Sequence, residues 1–181
     1  MGTREGAMRA LVTGGGGFLG SAIVRMLLER GDSVVVFARG EYPELLELGA
    51  ELKRGDIRDL SAVRDACADV DLIFHVAAKP PPWGRRADYE SINVGGTANV
   101  VEAALSAGIS HLVYTSTPSV VEADGDVEGV DERLPYARHF LADYPRSKAR
   151  AEQLVLDANS AELACVALRP HLIWGPGDPH F

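Results

Sequence analysis

Arg9-Ala10-Leu11-Val12-Thr13-Gly14-Gly15-Gly16-Gly17-Phe18-Leu19-Gly20 decides the fold. Arg9 to Thr13 reads as a short apolar strand, and a helical pattern begins at Phe18. Four consecutive glycines join them. A glycine turn between a strand and a helix N-terminus can hold a pyrophosphate, because unpaired backbone N–H groups and the helix dipole point at the same place. On that reading Gly14 permits the turn, Gly17 the close approach of phosphate, and Gly20 tight packing of helix on strand. Thr13, Gly14, Gly17, Phe18, Leu19 and Gly20 are the candidate phosphate-side residues. A glycine run alone is often only a flexible loop; its place between strand and helix favours the nucleotide reading.

Outward from this stretch the pattern repeats. The first helix runs from Phe18 to Arg30, with Leu19, Ile23 and Leu27 on one face and Gly31 as its stop. Strands are predicted at Ser33–Phe37, Glu51–Arg54, Leu72–Val76, His111–Thr115 and Ala164–Leu168. Between them lie a short helix at Tyr42–Leu48, one at Leu60–Ala68 capped by Asp59, a long one from Tyr89 to Ala107, and one at Asp143–Asn159. Pro80-Pro81-Pro82 marks a loop, and Glu122 to Asp143 is an acidic irregular segment. Such alternation implies parallel strands joined by right-handed crossovers: an α/β, doubly wound parallel sheet of the Rossmann type. Residues 1–7 read as a disordered extension and residues 8–181 as one dinucleotide-binding domain. Arg169 to Phe181 reads as a loop leading onward, so a C-terminally truncated chain, without its substrate domain, is expected.

Composition narrows the class. With 181 residues, 46% hydrophobic and 24% charged, the chain is long enough for one domain with a real core. A net charge of −8 disfavours nucleic acid and anionic membranes as partners. No apolar run has transmembrane length and no secretory signal is visible. Cys67 and Cys165 lack metal-ligand spacing and read as reduced core cysteines. A cytoplasmic protein without metal is the expectation, with a small-molecule substrate as partner and a homodimer left open.

The chemistry is read further along. Tyr144 and Lys148, in Tyr144-Pro145-Arg146-Ser147-Lys148, are four residues apart and share a helix face. Pro145 is tolerated only in a first turn, which sets the pair near the helix start. An ammonium beside a phenol lowers its pKa and suits it to proton transfer near neutral pH. The bland alternative is a packed tyrosine and a surface lysine. Thr115-Ser116-Thr117, at a strand end, weighs against it, since a hydroxyl there can orient a substrate carbonyl beside the tyrosine. The end of the second strand, Phe37-Ala38-Arg39, lacks the acid that bonds the ribose 2′-hydroxyl of NAD and offers a guanidinium instead. NADP is therefore the expected cofactor, with NAD left open and a solvated loop charge as the alternative reading of Arg39. Asp56 and Ile57, after the third strand, are candidates for the adenine side; alternatively Gly55-Asp56 simply forms a turn.

These stretches, with His75-Val76-Ala77-Ala78, Asn93-Val94-x-Gly96-Thr97 and Leu168-Arg169-Pro170, resemble the extended short-chain dehydrogenases/reductases. Tyr114 to Val120 and Leu168 to Asp178 resemble the 3β-hydroxysteroid dehydrogenase/isomerase branch, and within it the bacterial reductases of 2-alkyl-3-oxoalkanoates in long-chain olefin synthesis. The resemblance implies an oxidoreductase that reduces a ketone, a bulky or long-chain 3-oxo compound, to a secondary alcohol. It implies Tyr144 as acid/base, Lys148 as its electrostatic partner and ribose ligand, and Thr117, or else Ser116, as the carbonyl-orienting hydroxyl. Asn93 would support the site, Ala77 and Ala78 would line the cofactor path, and Pro170 and His171 would lie near the nicotinamide. Two rivals remain: a sugar-nucleotide epimerase or dehydratase of the same family, and a non-catalytic NADP sensor. The missing acid after Phe37 weighs against the first, and the retained Tyr/Lys pair against the second. Apolar surface near Trp83, His171 and Trp174 is expected to be exposed.

Overall fold

The computed structural model describes residues 6–81, 83–121 and 128–178. Met1 to Glu5 of the expected extension, Pro82 of the proline loop and 122–127 of the acidic segment lie outside the described residues. Six strands form one parallel sheet: β1 (Arg9–Thr13), β2 (Ser33–Ala38), β3 (Glu51–Arg54), β4 (Leu72–His75), β5 (His111–Thr115) and β6 (Ala164–Leu168). Their order across the sheet is β3-β2-β1-β4-β5-β6. The chain winds outward one way from β1 to β3, then crosses to β4 and winds the other way. The crevice between β1 and β4 is the switch point where such sheets take ligands.

The inner strands β1 and β2 bury both faces, as expected of a parallel sheet covered by helices. On one face Leu11, Val35, Ile73 and Leu112 pack with helices α3 (Leu60–Ala66), α5 (Gly96–Ala107) and α6 (Asp143–Asp157) through Val63, Val100, Ala104, Ala151 and Val155. On the other, Ala10, Val12, Val34 and Val36 pack with α1 (Phe18–Arg30) and α2 (Pro43–Glu47) through Val24, Leu27 and Leu45. Local signals set the ends. Asp59 accepts from the N–H groups of Ser61 and Ala62 at 3.0 and 3.3 Å and starts α3. Gly31 and Gly108 close α1 and α5 in the left-handed region.

Two expectations are corrected. The buried stripe of α1 is Gly20-Val24-Leu27, not Leu19-Ile23-Leu27. A Cβ on Gly20 would sit 2.2 Å from the Gly14 carbonyl oxygen, so the helix seats against the glycine turn there and rotates Leu19 toward the ligand crevice. The helix expected from Tyr89 to Ala107 begins earlier, as α4 (Arg86–Tyr89), and reaches α5 through a π-helical turn at Glu90–Gly95. One extra residue per turn there re-aims the side chains that precede α5.

Candidate active site

A cleft of about 710 Å³ opens at the C-terminal ends of β1 to β4. Gly14, Gly17, Phe18, Leu19 and Gly20 form its floor, Arg39, Asp56 and Ile57 one flank, and Ala77 and Ala78 the other. Gly14 is held at φ +69°, and a Cβ there would lie 2.8 Å from the Ala77 backbone, so the turn lies hard against the end of β4. The N-terminus of α1 has no side-chain cap. Its first N–H groups therefore face the cleft that Gly17 to Gly20 line, the arrangement that takes a phosphate. These residues fit a dinucleotide.

Four sequence-read cofactor candidates do not line the cleft: Thr13, Asn93, Lys148 and Pro170. Thr13 lies beneath it, fully buried. Its hydroxyl accepts from the N–H groups of Val76 and Ala77, both at 3.2 Å, and meets His75 Nδ1 at 2.7 Å. His75 Nε2 lies 2.9 Å from Thr97 Oγ1, which donates to the Asn93 carbonyl at 2.6 Å. One set of directions satisfies every group: Thr13 donates to Nδ1 of a neutral His75, and its Nε2–H donates to Thr97. Burial, with Lys148 nearby as a smaller cause, pushes the His75 pKa down to about 3.

Asn93 is a staple. Its Oδ1 accepts from Lys79 N–H at 2.7 Å, while its amide donates to Lys79 O at 3.3 Å and to Ser147 Oγ at 2.9 Å. It thus ties the loop after β4 to α6, one residue from Lys148. The π-helical turn is what aims it there. Pro170 follows β6 and is half-buried away from the cleft.

The Tyr/Lys pair stands one strand further along the same edge of the sheet. Tyr144, in the first turn of α6, packs edge-on to Tyr89 with ring centroids 6.3 Å apart. Burial raises its pKa, the charge of Tyr89 adds to this, and a hydrogen bond with the Thr117 hydroxyl opposes it. Lys148 is 2% exposed. Its ammonium donates to the Thr115 carbonyl at 2.6 Å and lies 4.1 Å from the centre of the Tyr114 ring. Burial pushes its pKa down to about 7, against the pull of Glu152. The expected electrostatics are therefore corrected. The Lys148 charge is spent on Thr115 and Tyr114, and Tyr144 is held as a neutral phenol.

Ser116 is also corrected as a carbonyl-orienting residue. It is buried and its hydroxyl donates to the Glu152 carboxylate. Of the two hydroxyls, Thr117 is the one beside Tyr144. Glu152, 1% exposed, further accepts from Tyr136 Oη at 2.9 Å and from Arg169 Nη2 at 2.6 Å and Nε at 3.1 Å. Its pKa is lowered: desolvation raises it, and the bonds from Arg169, Ser116 and Tyr136 together outweigh that. This cluster went unread in the sequence, although Glu152 stands four residues past Lys148 on the same helix face. Tyr42 was missed as well. A Cβ on Gly16 would lie 2.0 Å from its ring, so the third glycine of the run makes room for a tyrosine that lines the cleft.

Asp56 lines the cleft, and its carboxylate is gripped by Arg58 at 2.6 and 2.9 Å. That grip, aided by the charge of Arg39, holds its pKa down at about 2 against some desolvation. Among the described residues no three His, Cys, Asp or Glu side chains converge on a metal site, and no helix is long and apolar enough to cross a membrane.

The 3-beta hydroxysteroid dehydrogenase/isomerase family model matches residues 11–181. The chain is 54% identical to the 2-alkyl-3-oxoalkanoate reductase of Stenotrophomonas maltophilia (strain K279a), over 94% of this chain and 52% of that protein. It is 41% identical to a 3 beta-hydroxysteroid dehydrogenase/Delta 5-->4-isomerase of Mycobacterium tuberculosis, over 94% of this chain and 48% of that one. Among solved structures, MoeE5 in complex with UDP-glucuronic acid and NAD superposes with a TM-score of 0.79 at 34% identity, covering 96% of this chain and 58% of that one. The chain spans about half the length of the curated relatives it matches.

Proposed function

Because the chain belongs to the 3-beta hydroxysteroid dehydrogenase/isomerase family, we propose that it is the cofactor-binding half of an NADP-preferring reductase, which converts a bulky 3-oxo compound to its secondary alcohol. The observation that carries this reading is the Tyr144 phenol in the first turn of α6, packed edge-on to Tyr89 and beside the Thr117 hydroxyl, on the same sheet whose glycine turn lines the dinucleotide cleft. A bound nicotinamide would supply the hydride. Thr117 donates a hydrogen bond to the substrate carbonyl oxygen and fixes its direction. Tyr144, protonated at neutral pH, gives that oxygen its proton as general acid. Lys148 shapes the end of β5 through Thr115. Arg39, where an acid would serve NAD, supports NADP. We place the residues that select the substrate's chains outside these 181.

Two measurements test the reading. The protein should bind NADPH more tightly than NADH in a fluorescence titration; equal affinity removes the cofactor preference. In the protein carried to its relatives' length, Tyr144→Phe should keep NADPH binding and lower reduction of a long-chain 3-oxo acid by about 10²–10⁴-fold. Unchanged turnover rules out Tyr144 as the acid. A sugar-nucleotide enzyme is the second reading, favoured by the likeness to MoeE5 with its UDP-sugar and NAD. It requires tight NAD binding despite Arg39, so the same titration separates the two.

A further inference from the structure

The flank of the cleft beyond β2 carries charges that the reading above leaves unused. β2 and β3 pair with Ala38 opposite Arg54, so Arg54 leaves the sheet edge beside Arg39. A recess of about 380 Å³, lined by Arg39, Arg54 and Gly55, shares Arg39 and Gly55 with the cleft. No carboxylate lines it. Asp56, the nearest acid in sequence, is already engaged by Arg58. The Arg39 guanidinium makes no hydrogen bond or ion pair among the described residues. Arg54 is differently placed: its Nη1 donates to Glu41 Oε1 at 2.9 Å, and its Nη2 reaches the Arg39 carbonyl at 3.4 Å. Both side chains of that ion pair are well exposed, 59% for Arg54 and 74% for Glu41. An exposed pair of this kind adds little stability and is easily exchanged. It leaves two guanidiniums around one recess, with the exposed Glu41 carboxylate paired to Arg54.

We propose that Arg54 is a second ligand, with Arg39, for the 2′-phosphate of NADP, and that Glu41 is a resident counterion that the phosphate displaces. The inference rests on the NADP reading above and adds to it which residues set the preference. A phosphate monoester offers three acceptor oxygens and close to two charges, so it outbids one carboxylate for a guanidinium. Glu41 then works against NADP binding and leaves NAD untouched. The preference is a balance between two arginines and one glutamate, all within sixteen residues of chain.

Calorimetric titration of the protein with NADPH and with NADH, in four forms, tests this. Arg54→Met should weaken NADPH binding about tenfold and leave NADH within about twofold, since a charge-assisted bond is lost only with the phosphate. Glu41→Gln should tighten NADPH binding about threefold, by relieving a competing surface pair. In the Arg54→Met background the Glu41→Gln gain should vanish. If Arg54→Met weakens both dinucleotides equally, or neither, Arg54 is no phosphate ligand. If the Glu41→Gln gain survives without Arg54, Glu41 acts through the general field and the displacement is wrong. An unmutated protein that prefers NADPH while Arg54→Met keeps the preference overturns this inference alone. An unmutated protein without preference overturns the NADP reading and this inference together.

Discussion

Glu152 accepts hydrogen bonds from three side chains. Ser116 at the end of β5, Tyr136 in the loop before α6, and Arg169 after β6 all converge on it. Four segments are locked at the strand edge where Thr117 and Tyr144 meet. The Arg169 guanidinium is itself only 20% exposed as a side chain. Removing one member of a buried pair leaves an uncompensated charge, which costs about 3–5 kcal/mol in full burial. Arg169→Met should therefore destabilise the protein by about 3 kcal/mol in urea unfolding, and Glu152→Gln by less, because the amide keeps partners for Ser116 and Tyr136. A loss under about 1 kcal/mol for Arg169→Met would mean the pair is solvated in solution. Such a cluster could not be read from the sequence, because its members are spread from Ser116 to Arg169 and only the fold brings them together. The spacing of Tyr144 and Lys148, four residues on one helix, was legible. The direction of the Lys148 ammonium was not, because it depends on the Thr115 carbonyl and the Tyr114 face of a strand read separately.

At the scale of elements the strands were the most legible, since their apolar runs and glycine stops are local. All six stand where the sequence placed them, within a residue or so at their ends. The π-helical turn was hidden because apolar periodicity cannot register one inserted residue in a turn. The latch between β1, β4 and α5 was hidden for another reason: Thr13 and His75 are partners only through the parallel register of β1 on β4. That latch has a pH signature. The folded protein takes a proton at His75 only below about 3, whereas the unfolded chain takes it near the ordinary 6.5. Between those values the unfolded state binds more protons, so stability is complete above 6.5 and falls as pH falls toward 3. The limiting slope for one such group is about 1.4 kcal/mol per pH unit. His75→Gln should flatten this part of the stability curve measured by denaturant titration between pH 6.5 and 4. An unchanged slope in the variant would assign the acid sensitivity to other groups. A second element-scale outcome concerns Gly20. Its substitution by Ala forces a Cβ into the Gly14 carbonyl, so α1 must move off β1, at about 1–3 kcal/mol and with loss of dinucleotide affinity. Tight binding by Gly20→Ala would mean the glycine turn is softer than its geometry implies.

Across the whole molecule the two sheet edges differ. β3, at one edge, is Glu51-Leu52-Lys53-Arg54, and its charged side chains discourage pairing with another strand. β6, at the other, is Ala-Cys-Val-Ala-Leu, and Val166 and Leu168 are 46% and 53% exposed. The segment after it adds Leu172 at 64% and Trp174 at 73%, while Trp83 on the proline loop is 84% exposed. One protecting contact is present: Asn159 Oδ1 accepts from the Cys165 N–H at 2.8 Å. Among the described residues no strand pairs with the outer edge of β6, and its side chains are apolar, which is a template for a further strand. Net charge of −8 opposes association at low ionic strength. These 181 residues are therefore expected to self-associate reversibly, and more strongly as salt screens the charge. Sedimentation velocity across a range of concentrations and salt should show the sedimentation coefficient rising with both. Leu168→Lys, which puts a cation on the edge without touching the cleft, should restore a monomer while NADPH binding persists. A chain that stays monomeric in high salt at the upper concentrations would show that the β6 edge is covered in solution. Association that Leu168→Lys leaves intact would place the contact elsewhere, on Trp83 or Trp174.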